Sequence, residues 1–489
     1  MTLLRLSVLL ALVSTSTLVK ADLGQSVVRV NTTVQNYSPS QPWEKTQPRK
    51  RRGLGAVLSN QTVLTTAKMA ADAIYLEFQS ADSSRNVPAK VIAIDYEANL
   101  ALLGPANGTG FLSSLKAAEL STPLKQKDDL NIVQLEDKGT TQMTPGTIRS
   151  MELLSTFVSG RFFLSYEVKA SIQTESNSYT LPAFKGDQLA GILTSYDSKE
   201  QSCDIISIDI IRSFLEDAKD GNYLGFPSLG VGYSSTEDPN FRAWLKLPED
   251  QGGLYISHVT PGGSAAASDI KKDDVLLSIA GFSIDRKGYY EHPDYGPLFW
   301  THLVRGAHRV GEEVPTKVLR DGEEIELILK LKRSTDNLVQ THLHDQAPPY
   351  LIKGGLVFQE LSLPYLKAFG KEWSSRAPLN LLDVYNNPEA HAEEGRRRVV
   401  ILTRVIPTDA TIGYERIASQ IVKSVKGKPV AGLPEVAEAL AQTPTNGLHE
   451  IDTDDSPYRI YLDQSLADRV DQQFKASGLP SLSRIYPVE

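Results

Sequence analysis

The stretch Ile172–Leu193, IQTESNSYTLPAFKGDQLAGIL, decides how the first part of the chain is read. It has an apolar lead-in, a polar turn of small residues, Pro182 and a strand-like GIL ending, the layout of a loop set between two buried strands. Around it, from about Val27 to Leu224, lie further short β-rich runs: GAVLSN, TVLTTA, AIYLEFQ, AKVIAIDY, NLALLG, LNIVQLE, GRFFLSYEV and AGILTSYD. Many short strands punctuated by Gly, Asn and Ser, with little helical periodicity, predict a sandwich or barrel. IIRSFLEDAKDG then predicts an amphipathic helix that closes the unit, with Gly221 as its stop.

Beyond that helix the chain repeats itself at an offset of 146 residues: GLYISHVTPGGSAAASDIKKDDVLLSIAGFSI aligns with VVILTRVIPTDATIGYERIASQIVKSVKGKPV. In each copy an apolar strand runs into a proline (Pro261, Pro407) that lies 20 residues before a turn glycine (Gly281, Gly427), so two copies of one module are expected. The first continues through GPLFWTHLVRG, a helix candidate, to an Asp321-Gly322 hairpin signal between alternating strands. The second ends with a helix at PEVAEALAQ and strands at HEIDTD and YRIYLD. KRSTDNLVQTHLHDQAPP, polar and Pro-terminated, reads as the linker between them. SLADRVDQQFKASGLP reads as a last short helix and tail.

At 489 residues the chain predicts about three domains. Its first 21 residues, MTLLRLSVLLALVSTSTLVKA, carry Arg5, an apolar run too short to span a bilayer, and Val19 and Ala21 at cleavage positions. That pattern predicts a secretory signal peptide cut after Ala21. Losing Arg5 and Lys20 would move the formal charge from −8 to −10, which argues against nucleic acid as the main partner. A local basic run, Arg49-Lys50-Arg51-Arg52, reads as the solvated entry to a strand rather than a polyanion patch. No later segment has the roughly 18 consecutive apolar residues of a transmembrane anchor. The single cysteine, Cys203, excludes an internal disulfide and sits beside an apolar run, as a buried inert thiol would.

LTTAKMA, DYEANLALL and IQTESNSYTLPAF with GDQLAGIL resemble, in order and spacing, the triad-bearing segments of the HtrA/Deg (Do-like) serine proteases. Those segments typically read LTNAHVV, D…DLALL and IQTDA…GNSGGPL…GEVIGI. The resemblance runs from about Arg52 to the end of the chain, and the two repeats resemble the family's PDZ modules. The second, with GGLVFQELSLPYLKAFGKEW, is similar to the divergent C-terminal module of plant-type Deg proteases. The resemblance implies a mainly β fold, a trypsin-like double β-barrel followed by two α/β PDZ-like domains. Its division would be a signal peptide at 1–21, a protease-fold domain at 22–222, a first PDZ-like domain at 223–335, and a linker with a second PDZ-like domain at 336–489.

Carried over position by position, the resemblance puts Lys68 where the family has its general-base histidine and Asn99 where it has the orienting aspartate. Aligning Pro182 places Tyr179 at the nucleophile, with Ser178 one residue away, and Asn177, Thr180 and Leu181 in place of glycines. Each departure weakens catalysis. A lysine ammonium is normally protonated and cannot accept the serine proton. The Asp-to-Asn change costs about 10⁴-fold in trypsin, and each lost oxyanion donor about 10²–10³-fold. No histidine occurs before His258, so the barrels contain no Ser-His-Asp set of their own. The expectation is therefore no working triad; the enzymatic alternative is a Ser178–Lys68 dyad with the lysine made basic by burial.

The PDZ-like copies keep more of what their function requires. A peptide adds to the free edge of a strand while its terminal carboxylate sits among backbone N–H groups at an apolar-Gly-apolar turn. Leu229, Gly230 and Val231 match that turn in the first copy, with Leu298 to Leu303 as the facing helix. Gly355 and Leu356 match more weakly in the second, where 21 additional residues separate the glycine from its proline. His342 and His344 lack further ligands and read as solvated linker residues, so no metal or other cofactor is expected. The expected partners are peptides or protein C-termini, including unfolded or envelope proteins. The resemblance implies a homo-oligomer, commonly a trimer, and an exported chain would work in a periplasm or outside the cell.

Overall fold

The computed structural model describes residues 23–108, 110–136, 138–172, 180–333, 338–392, 395–479 and 481–486. The leader at 1–21 lies outside them, as do Ser178 and Tyr179. Two closed six-stranded barrels come first. Strands β1 (Val27–Val34), β2 (Arg49–Leu58), β3 (Thr62–Thr65), β4 (Ala73–Gln79), β5 (Asn86–Asp95) and β6 (Leu100–Pro105) close in the order β1-β2-β3-β6-β5-β4. The second barrel uses β7 (Asp129–Leu135), β8 (Thr141–Leu154), β9 (Phe163–Ala170), β10 (Leu181–Lys185), β11 (Gln188–Asp197) and β12 (Ser202–Ser207), in the order β10-β11-β12-β9-β8-β7.

The quoted stretch supplies β10 and most of β11, buried as its apolar ending predicts. Gly191 in β11 permits a close approach: a Cβ there would fall 2.4 Å from Ile205 Cγ2 and 2.6 Å from the Ile206 carbonyl oxygen. Helix α1 (Ala67–Ala70) follows β3, and helix α2 (Ile208–Asp217) closes the second barrel, capped by Ser207. Gly221 stops it at φ +79°. Cys203 is buried and unpaired, its thiol pushed up to about 12 by burial and then by Asp204. Arg29 joins the barrels, its guanidinium donating to the carbonyls of Ala81 and Leu135, each at 3.1 Å.

The first repeat folds as β13 (Val231–Ser234), helix α3 (Pro239–Trp244), β14 (Leu254–Val259), β15 (Val275–Ile279), β16 (Phe282–Ser283), β17 (Tyr289–His292), β18 (Gly296–Phe299), helix α4 (Thr301–Arg305), β19 (Glu313–Arg320) and β20 (Glu323–Lys330). Its sheet runs β13-β14-β15-β19-β20, and Asp321-Gly322 turns the β19–β20 hairpin as expected. GPLFWTHLVRG was expected to be helical throughout. Instead Gly296–Phe299 pairs with β17, and only Thr301–Arg305 is helical, because Gly296 turns at φ +72° and Pro297 follows it.

The second repeat contributes β21 (Tyr350–Lys353), β22 (Leu356–Glu360), β23 (Val400–Val405), β24 (Gln420–Val425), β25 (Lys428–Pro429), β26 (Leu448–Thr453), β27 (Arg459–Asp463) and β28 (Ser483–Arg484). The sheet order is β27-β26-β24-β23-β22-β21-β28. The aligned segments of the two repeats become β14 and β23, each inside its sheet. One apolar core runs from the barrel interface through the second barrel into the first repeat, while the second repeat has a core of its own.

Candidate functional site

The cleft between the barrels is built from α1, the β5–β6 turn and the start of β10. The backbone N–H of Lys68 donates to Asn99 Oδ1 at 3.0 Å, so the two triad-position residues do meet. Asn99 is fully buried at φ +56°, and its Nδ2 has no partner among the described residues. The amide oxygen thus holds the first turn of α1, but no carboxylate is present to stabilise an imidazolium. Lys68 is exposed, so the burial that a Ser-Lys dyad demands of its lysine is not supplied there. Thr180, at a glycine position, is buried and crosses the cleft. Its hydroxyl lies 2.9 Å from that of Thr66, and its carbonyl accepts the Leu54 N–H at 3.0 Å.

In the first repeat, Gly230 adopts φ +73° between buried Leu229 and half-buried Val231. The carbonyls of Leu229 and Gly230 accept from Ala265 and Thr260, each at 2.9 Å. Among the described residues no acceptor pairs with the N–H of Leu229 or of Gly230. β13 pairs with β14 alone and forms the edge of the sheet. From β13 itself, Tyr233 meets the Trp300 ring edge-on at 5.5 Å. Leu303 lies on α4, but Leu298 lies on β18, and both are buried. The α4 residue Arg305 reaches behind the loop: its Nε is 3.5 Å from the Pro227 carbonyl, and its guanidinium lies 5.5 Å over the Phe163 ring of the second barrel. His302, tied to Tyr290 Oη at 2.6 Å, is lowered to about 4 by burial and by its neighbours His292 and His308.

The second repeat departs from this plan. Gly354 and Gly355 form the turn of the β21–β22 hairpin rather than an open carboxylate loop. Leu356 is fully buried and pairs with Lys353. β21 covers the edge of β22 on which a peptide would add, and β28 covers β21. The longer connection between β22 and β23 holds the helices Leu363–Lys367, Trp373–Arg376 and Leu379–Asn386.

His342 and His344 are not solvated linker residues. His344 stacks on Phe157 at 4.6 Å and 13°, and its Nδ1 lies 3.2 Å from Asp72 Oδ2. Sequence reading missed Asp72, Tyr96 and Phe157, because their contacts with the linker span up to 273 residues and leave no local pattern. Among the described residues no cluster of three or more side chains could hold a metal, and no helix is long and apolar enough to cross a membrane.

A PDZ domain family model matches residues 227–286, and a second PDZ domain model matches 339–474. Among curated proteins, the chain is 27% identical over 411 residues to "Putative protease Do-like 3, mitochondrial" of Arabidopsis thaliana, covering 83% of this chain and 70% of that one. It is 28% identical to "Protease Do-like 4, mitochondrial" of the same plant, covering 70% and 65%, and 25% identical to its "Protease Do-like 2, chloroplastic", covering 85% and 67%. The chain thus spans about two thirds of the length of these relatives. Among solved structures, it is similar to "HtrA-type protease AlgW with decapeptide" at 18% identity and a TM-score of 0.47, over 64% of this chain and 96% of that one. With its two closed barrels, its PDZ matches and its Do-like relatives, the chain is an HtrA/Deg protease-family homologue with PDZ domains.

Proposed function

We propose that this chain is a proteolytically inactive HtrA/Deg homologue that binds polypeptide C-termini through its first PDZ domain, as a scaffold, chaperone-like or regulatory factor. The observation that carries the first half is exposed Lys68 beside buried Asn99 in the place of a base and its orienting acid. The second half is supported by Gly230, its left-handed backbone and the uncovered edge of β13. Residues 22–222 would form the protease-fold domain, 223–335 the peptide-binding domain and 336–489 a PDZ-like domain whose groove strand is self-paired. An arginine- and lysine-bearing apolar leader supports export; relatives labelled mitochondrial and chloroplastic make fractionation of a tagged chain the deciding measurement. A homo-oligomer, commonly a trimer in this family, belongs to the same proposal.

The test is incubation of residues 22–489 with casein. We expect no cleavage, together with binding of C-terminal peptides. Cleavage that disappears in both Ser178→Ala and Lys68→Ala would establish the dyad enzyme instead.

A further inference from the structure

The segment His342–Asp345 joins the two PDZ domains in sequence, yet it packs across the two barrels. From the first barrel, Tyr96 precedes Asn99 by three residues, and Asp72 lies two residues past α1. From the second, Phe157 projects from the β8–β9 connection. His344 is held between them, 5.2 Å from the Tyr96 ring and 4.6 Å from the Phe157 ring, with His342 5.5 Å from Tyr96. Asp345 and Asp72 exchange hydrogen bonds: the Asp72 N–H donates to Asp345 Oδ1 at 2.7 Å, and the Asp345 N–H donates to Asp72 Oδ1 at 2.9 Å. The Tyr96 hydroxyl donates to the other Asp345 oxygen.

We propose that His342–Asp345 is an autoinhibitory strap: it closes one end of the cleft between the barrels, and an extended polypeptide enters only when the strap is released. This rests on the reading that the chain engages polypeptides, but not on the peptide groove at Gly230. A segment anchored to both walls of a cleft cannot share that space with a second chain. The anchoring is polar and aromatic rather than a packed apolar core, so release costs little enough to be reversible. Asp72 is held below the usual carboxylate range: burial opposes this, but hydrogen bonds from His344, the Asp345 N–H and Asn36 outweigh it. The strap is thus paired with a charged carboxylate, which also faces Arg51.

The reciprocal hydrogen bonds, each from a backbone N–H to the other residue's carboxylate, make 72 and 345 neighbours at which an engineered cysteine pair can be tried as a lock, and the buried native Cys203 does not compete. The test places the photo-crosslinker p-benzoylphenylalanine at exposed position 68 and adds casein. It compares the unmodified strap, an Asp72→Cys/Asp345→Cys lock in oxidised and reduced forms, and a released His344→Ala/Asp345→Ala form. Crosslinking should fall about fivefold on oxidising the lock, recover on reduction, and rise about fivefold in the released form. Because oxidised and reduced lock are one protein, misfolding cannot mimic the difference. Equal yields in all forms, or no crosslink even in the released form, overturn the strap. Anisotropy with a labelled C-terminal peptide, measured on the same proteins, reports the Gly230 groove separately: its loss with strap-dependent crosslinking would sink the groove alone.

Discussion

Gly230→Ala is the most direct probe of the peptide-binding reading. The position sits at φ +73°, where an L-residue costs about 1–2 kcal/mol. A Cβ there would meet Gly263 Cα at 3.5 Å, Thr260 Cβ at 3.6 Å and Thr260 Oγ1 at 3.9 Å, ordinary contacts, so the domain should stay folded with the strain confined to the loop. Relieving that strain rotates the N–H groups of Leu229 and Gly230 away from a bound carboxylate. At 1.4 kcal/mol per factor of ten, the dissociation constant should rise about fivefold to thirtyfold. Fluorescence anisotropy would follow a labelled apolar-ended peptide with a free C-terminus and the same peptide amidated, the amide binding at least about tenfold more weakly to the unsubstituted domain. Gly355→Ala is the control, because its Cβ would fall 2.6 Å from the Ile406 carbonyl oxygen. It should lower thermal stability without touching binding at the first groove. Equal binding of acid and amide, with Gly230→Ala indistinguishable from the parent, would refute the carboxylate-loop assignment.

Two further substitutions test the surrounding frame. Arg320 holds the buried Asp274 carboxylate through Nε at 2.7 Å and Nη2 at 2.8 Å, so Arg320→Ala should destabilise the first PDZ domain by about 3 kcal/mol, read as a lower urea midpoint. An unchanged midpoint would show the carboxylate to be solvated. His342 is lowered from its ordinary 6.5 to about 4, chiefly by burial and then by neighbouring His344. The native fold therefore favours the neutral ring: stability is full above about pH 6.5 and is lost as the pH falls through 4. Because the ring is partly exposed, we expect the loss between pH 7.5 and 4.5 to be about 1–2 kcal/mol larger than in His342→Gln. Identical pH profiles would count against the burial of this ring.

The sequence made the architecture legible where a pattern is local. Alternating strands with turn residues pointed to a sandwich or barrel, Asp321-Gly322 to its hairpin, and the apolar face of IIRSFLEDAKDG to the helix that Gly221 stops. Lys68 and Asn99 could be aligned with triad positions through the resemblance, and a bond from the Lys68 N–H to the Asn99 side chain joins them. What stayed hidden depends on distant parts of the chain. GPLFWTHLVRG carries a helical pattern, but its first half is captured by a strand partner at Tyr289–His292. The polar composition of THLHDQ reads as solvent-exposed, since nothing near it encodes Asp72, Tyr96 or Phe157. The closure of β22 likewise depends on β21, a four-residue strand just past the linker segment whose short length carries no distinctive pattern.

The unbroken core between the second barrel and the first PDZ domain has a kinetic consequence. Phe163 of β9 meets Phe226 edge-on at 4.9 Å, so the Gly230 loop is mounted on the barrel like a fixed bracket rather than hung from a flexible tether. A polypeptide caught by its last residues would present its upstream segment to the cleft at a local concentration set by that constant spacing, and by the slack in its own chain alone. Length of the captured tail, rather than its composition, would then decide which clients reach the space between the barrels.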